Sequence, residues 1–129
     1  MRIRNYDHSD YDEIKQWWSD RNQIPVAPEA LSTTGAVCVR ADEIRLAAAW
    51  LYLSNSKLAY LGWVIGRPNT AYYEVHEAIT LVTSHLVNLA DVLGFPSIIS
   101  TSGNRGLTRI LKRNGLISFG PHELLYGGF

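Results

Sequence analysis

Residues 100–119 read STSGNRGLTRILKRNGLISF, and this stretch organises the reading of the whole chain. Ile98 and Ile99, apolar and strand-like, lead into a turn of Ser, Gly and Asn. A short basic segment follows, with Leu107, Ile110 and Leu111 on one helical face. Asn114-Gly115 then stops the helix, because glycine adopts the left-handed conformation of a helix C-terminus without steric cost. Residues 116–119 return to an extended apolar run. The unit predicts strand, helix, strand, with Asn104 opening the helix and Gly115 closing it. Asn104 reads equally as a turn or cap residue and as a ligand contact.

Upstream, Val75, Ile79, Val82, Leu86, Leu89 or Ala90, and Leu93 recur at helical spacing, which predicts one long amphipathic helix. Asn69 or Thr70 is the expected cap at its start, and Gly94 and Pro96 end it. Three strands are expected before it, over residues 36–40, 44–53 and 58–65, joined by polar turns at 41–43 and 54–56. Gly62 inside the third run predicts a bulge or a close backbone approach. Near the start, residues 2–6 alternate as a short strand. Ser9 and Asp12 then approximate a capping box for a helix carrying Tyr11, Ile14, Trp17 and Trp18. Pro25 and Pro28 make residues 23–34 a loop with one turn near 29–31. A last strand is expected at 123–126.

Composition narrows the function classes. At 129 residues the chain reads as one domain, 1–129, able to bury about two thirds of its unfolded surface. Twelve basic and twelve acidic residues cancel, so no whole-protein field draws nucleic acid or an anionic membrane. Arg105, Arg109, Lys112 and Arg113 form a local basic cluster that reads as a solvated face or as a partner for phosphates. The lone Cys38 excludes an internal disulfide and reads as a small buried hydrophobe. Residues 1–20 lack the apolar core of a signal peptide, and residues 46–53 are too short to span a bilayer. The expectation is a soluble, cytoplasmic protein without membrane contact.

The element order, strand–helix–three strands–helix–strand–helix–two strands, together with Asn104 to Gly115 and the Leu93-Gly94-Phe95 helix end, resembles the GCN5-related N-acetyltransferase (GNAT) family. That family's loose pattern here is Asn, a short helix, then Gly-Phe, with Leu116 in the Phe position. The run AAAWLYLSNSKLAYLGWVI is similar to small GNAT-like proteins of phage genomes with a degenerate acetyl-CoA loop. The resemblance implies an α+β fold: a mixed, mostly antiparallel sheet flanked by helices, its fourth and fifth strands splayed apart. It implies that acetyl-CoA lies along Trp63, Val64 and Ile65, with its pyrophosphate at Arg67, Asn69, Thr70 and Ala71 and a further contact from Asn104. Trp18, Glu29 and His122 take places that line the acceptor pocket in the family. Each has a plainer reading: Trp18 as core, Glu29 as a surface carboxylate, His122 as a turn residue.

Two departures from the family pattern stand out. Thr70 and Tyr72 occupy positions where glycine or alanine lets the cofactor approach the backbone. Leu111 stands where many members carry the Tyr that protonates the departing thiolate. No carboxylate lies in residues 60–65 to act as base, so no catalytic residue is named. The implied activity is transfer of acetyl from acetyl-CoA to an unidentified amine, small molecule or protein, by direct attack. The competing reading is a catalytically degenerate GNAT-fold binding protein, a phage product acting on a host or virion protein. A homodimer through the apolar residues Leu124, Leu125, Tyr126 and Phe129 is a further expectation. A zinc site is not expected: HEAIT at 76–80 places Thr80 where HExxH needs its second His.

Overall fold

A computed structural model describes residues 1–127. The elements are β1 (Arg2–Asn5), α1 (Tyr11–Asp20), β2 (Gly35–Val39), β3 (Arg45–Leu53), β4 (Leu58–Gly66), α2 (Tyr72–Val92), β5 (Ser97–Ser100) and α3 (Arg105–Arg113). Short 3-10 turns occupy His8–Asp10 and Pro28–Ala30. The strands form one sheet in the order β1-β2-β3-β4-β5, antiparallel except for the parallel pair β4–β5. Helix α2 makes the crossover that a parallel pair requires.

Alternation along the strands supplies a core on each face. Val37, Val39, Ala48 and Trp50 face α1, where Ile14, Trp17 and Trp18 cover them. Ala36, Cys38, Ala47, Ala49 and Leu51 face α2, packing with Ala78, Val82, Leu86 and Ala90. Small side chains at Ala47 and Ala49 let the long helix sit close to the central strand. Replacing the fully buried Ala49 with leucine would force those two layers apart. Urea unfolding should show a loss of about 2 kcal/mol. A neutral result would mean that the layers separate at no cost.

Several expectations are revised by the structure. The capping box at the first turn is built two residues earlier, because a 3-10 turn precedes α1: Asp7 accepts from Ser9 N (3.0 Å) and Asp10 accepts from Asp7 N (2.8 Å). Helix α2 is capped by neither Asn69 nor Thr70. Its N-cap is Ala71, which has no side-chain bond, and Thr70 Oγ1 instead donates to Pro68 O at 3.2 Å. The bulge falls just after Gly62. Ala48 pairs with Ile65 and Trp50 with Gly62, so Trp63 and Val64 together face Ala49, with Trp63 at φ 55°.

Residues 116–119 and 123–126 form no strand. The helix stop at Gly115 is as expected: Gly115 (φ 96°) donates to Lys112 O and Leu116 N to Leu111 O, closing a Schellman motif. Beyond it no described residue joins the sheet. The edge strand β5 is four residues long, and Gly120 (φ 100°) followed by Pro121 bends the chain and removes a donor. Ile117, Phe119 and Leu125 are left exposed. Phe129 lies outside the described residues.

Candidate functional site

Pairing between β4 and β5 starts at Leu58↔Ser97 and ends at Leu61↔Ser100. Strand β4 continues to Gly66, so residues 62–66 run on without a strand beside them on that edge. Ser100 closes the last paired position by donating its Oγ proton to Leu61 O at 2.7 Å. Beyond this point β5 ends, and the chain turns into α3 at Arg105.

The gap is a cleft of about 300 Å³ lined by Val64, Ile65, Gly66, the first turns of α2 and α3, and the end of α1. Its apolar wall includes Val75, Ile79, Leu107 and Ile110. Its polar groups are Arg21, Gln23, Tyr72, His76 and Asn104, and none of its lining residues is a carboxylate. An apolar trough with a few polar groups suits a flexible, largely apolar arm better than a highly charged ligand. Helix α2 opens towards this region with no side chain capping its first turn, which leaves N–H groups there without a side-chain partner. Arg40 holds the single first-turn acid, Glu74, at 2.7 Å.

Tyr72 is the first residue of α2 and stands at the cleft mouth, 70% exposed. Its ring packs on His76 (5.6 Å between centroids), and a side-chain carbon at Gly106 would lie 3.9 Å from its hydroxyl. The tyrosine therefore reaches from α2 towards α3 along the rim and does not fill the cleft interior. Asn104 caps α3, accepting from Leu107 N at 2.8 Å. Asn104→Ala should cost about 1 kcal/mol of thermal or denaturant stability, and Asn104→Ser much less, since serine also caps. Equal losses from both would remove the capping role.

The residues singled out in the sequence divide into three groups. Val64, Ile65, Asn104 and Trp18 share the cleft. Arg67 and Asn69 line a separate hollow with Glu13, Gln16, Trp17, Asp20 and Pro68. There Arg67 pairs with Glu13 at 3.3 Å and would have to leave it to reach a phosphate. The third group lines neither space. Trp63 packs on Tyr126, edge to face at 5.6 Å, and joins the α1-side core. Thr70 and Ala71 sit just before α2, Glu29 is exposed on its 3-10 turn, and His122 is exposed in the C-terminal segment.

Ten of the fourteen cleft residues, Arg21, Gln23, His76 and Gly106 among them, were not read from the sequence as ligand contacts. His76 had a signal: with Tyr72, Val75 and Ile79 it shares the i, i+3, i+4, i+7 face of α2. Arg21 had none, since its place depends on a bond to Gly66 O, 45 residues away. Among the described residues no group of three or more His, Cys, Asp or Glu is placed to hold a metal ion. No helix among them is long and apolar enough to cross a membrane.

The fold is that of the GCN5-related N-acetyltransferases. No protein-family model matches the chain, and no curated protein does. Solved structures match it over nearly all of its length. A transcriptional regulator from Bacillus halodurans C-125 superposes with a TM-score of 0.71 at 12% identity, covering 99% of each chain. The ribosomal-protein-S18-alanine N-acetyltransferase of Escherichia coli gives 0.69 at 11% identity, over 88% of this chain and 76% of its own. A Mycobacterium tuberculosis protein in complex with CoA gives 0.68 at 16% identity, over 97% of this chain and 76% of its own. Likeness at such identities establishes a shared fold, which hosts more than one function.

Proposed function

We propose that the protein is an acetyl-CoA-dependent N-acetyltransferase. One observation carries this reading: β5 stops at Ser100 while β4 runs on to Gly66, opening an apolar cleft beside an unpaired strand edge. An extended pantetheine arm would add to that edge as a strand does, with backbone groups of residues 62–66 as partners. The uncapped start of α2 would receive the pyrophosphate through its free N–H groups. In the reaction a neutral amine nitrogen attacks the thioester carbonyl carbon and the C–S bond breaks. CoA leaves as thiolate, and the proton shed by the amine passes to the thiolate or to water. A thiolate leaving group with a pKa near about 8 to 9 needs little acid assistance, and alignment in the cleft lowers the barrier further. Tyr72 and His76 are the groups in the cleft able to pass a proton. The coenzyme would operate in the cytoplasm, and pairing of the exposed apolar C-terminal residues Leu124 and Leu125 would give a homodimer.

The rival reading, a GNAT-fold binding protein without catalysis, is favoured by Tyr72. Its ring narrows the mouth of the cleft at the place where the family pattern carries a small residue. In that case the chain would be a phage product whose partner is a host or virion protein. Calorimetric titration with acetyl-CoA and CoA separates the two. Binding in the micromolar range, about 8 kcal/mol, supports the enzyme. No heat at millimolar ligand overturns it in favour of the binding protein.

A further inference from the structure

Arg21 brings a positive charge into the cleft and, among the described residues, forms no ion pair within 4 Å, although the adjacent Asp20 acts on it at longer range. Arg2, Arg4, Arg40, Arg45 and Arg67 each face a carboxylate. Arg21 is held instead by two backbone carbonyls: Nη1 donates to Trp17 O at 3.1 Å and Nη2 to Gly66 O at 2.7 Å. These bonds fix the guanidinium at the end of β4 and leave the rest of its five N–H donors unused by them. The neighbouring lining residues, Trp18, Gln23 and His76, bring no negative charge. A planar fork held in this way is matched to a carboxylate or phosphate, which it can bind through two parallel hydrogen bonds.

The side from which Arg21 enters matters. Trp18 and α1 cover the face of the sheet that carries Val37, Val39 and Trp50, while α2 covers the opposite face. The cleft draws its lining from both, because it lies beyond the end of β5 where no strand separates them. A cofactor seated at the start of α2 approaches from one face. Arg21 and Gln23 meet whatever arrives from the other.

We propose that Arg21 is the specificity-determining anchor for the acceptor, and that the acceptor is an amine carrying a carboxylate or phosphate group. This rests on the acetyl-transfer reading. The anion is held by the guanidinium and Gln23 while the neutral amine nitrogen reaches the thioester carbonyl beside residues 62–66. The anion takes no part in the bond changes.

The test compares the wild type with Arg21→Ala and Arg21→Lys. Release of the CoA thiol is followed with matched amines: β-alanine against propylamine, and phosphoethanolamine against ethanolamine. The anionic member of a pair should be favoured by about tenfold or more in kcat/KM, as a charge-assisted hydrogen bond requires. Arg21→Ala should abolish the preference by raising KM for the anionic amine, and Arg21→Lys should restore part of it. Equal use of the paired amines by the wild type overturns the proposal. So does an Arg21→Ala protein that keeps the preference but binds acetyl-CoA more weakly, since Arg21 would then be a cofactor contact. Failure of the wild type to bind acetyl-CoA defeats the acetyl-transfer reading separately. Titration with phosphoethanolamine alone then decides the anion site: binding lost in Arg21→Ala upholds it, and absence of binding to the wild type overturns it.

Discussion

Gly106→Phe should lower the affinity for acetyl-CoA by about 100-fold or more, about 2.8 kcal/mol, with the fold retained. Gly106 is the second residue of α3 and lines the cleft opposite Tyr72. A side-chain carbon there would sit 3.3 Å from Asn104 Oδ1 and 3.9 Å from the Tyr72 hydroxyl. The first distance asks the Asn104 amide to give by a few tenths of an ångström, and the second leaves the ring only the gap between the helices. A phenyl group would therefore occupy the trough beside β4. Because glycine is a poor helix former, replacing it offsets the strain at the cap by about 0.5–1 kcal/mol. The prediction needs two measurements on the same sample, calorimetric affinity and melting temperature. An unchanged affinity in a protein that melts like the wild type would show that acetyl-CoA does not use this cleft.

Asp10→Asn should lower the unfolding free energy by about 3 kcal/mol near neutral pH. The Asp10 side chain is fully buried and accepts four bonds: two from Arg4 (2.6 and 2.8 Å), one from Arg45 Nε (2.6 Å) and one from Asp7 N (2.8 Å). Removing its charge leaves two guanidiniums facing a neutral amide. Each retains over a quarter of its side-chain exposure, so water recovers some of the loss. Burial by itself raises the carboxyl pKa, but the hydrogen bonds from Arg4 and then Arg45 outweigh it, and the group titrates at about 2. The folded value lies below the unfolded one of about 3.9, so this carboxylate stabilises the fold above about pH 4. That contribution, roughly 2 kcal/mol, disappears as pH falls towards about 2. Urea unfolding across this window should show the wild type losing stability more steeply than Asp10→Asn. Parallel curves would mean that Asp10 is not held as an ion pair.

The same residue shows where reading the sequence stops. Asp10 looks like one acid among several at a helix start, and its neighbours suggested a capping box between Ser9 and Asp12. Its burial depends on Arg4 from β1 and on Arg45, 35 positions away, arriving from β3. Without those partners a carboxylate would not stay inside, so no local pattern announces it. Arg67 is a second instance. Next to a helix start it reads as a solvated cation or a phosphate ligand, and the pairing with Glu13, 54 positions away, is visible only in the fold.

By contrast, α3 was fully legible. Asn104 caps it, the Leu107, Ile110 and Leu111 face buries it, and Asn114-Gly115 closes it through bonds that span only a few residues. The length of α2 and the three-strand meander follow in the same way from period and turn chemistry. These are short-range properties, set by which conformations and faces neighbouring residues permit, and the order of such elements was enough to reach the fold. The two absent C-terminal strands were not legible, because a strand exists only where another edge offers it hydrogen bonds. The cleft was anticipated only through the family resemblance, and its opening rests on β5 ending four pairs into β4. The sequence determined which segments are helix, strand and turn. Only the tertiary structure decided which charges meet, which edge stays open and which side chains face it, since those energies belong to pairs of residues that the chain keeps far apart until it folds.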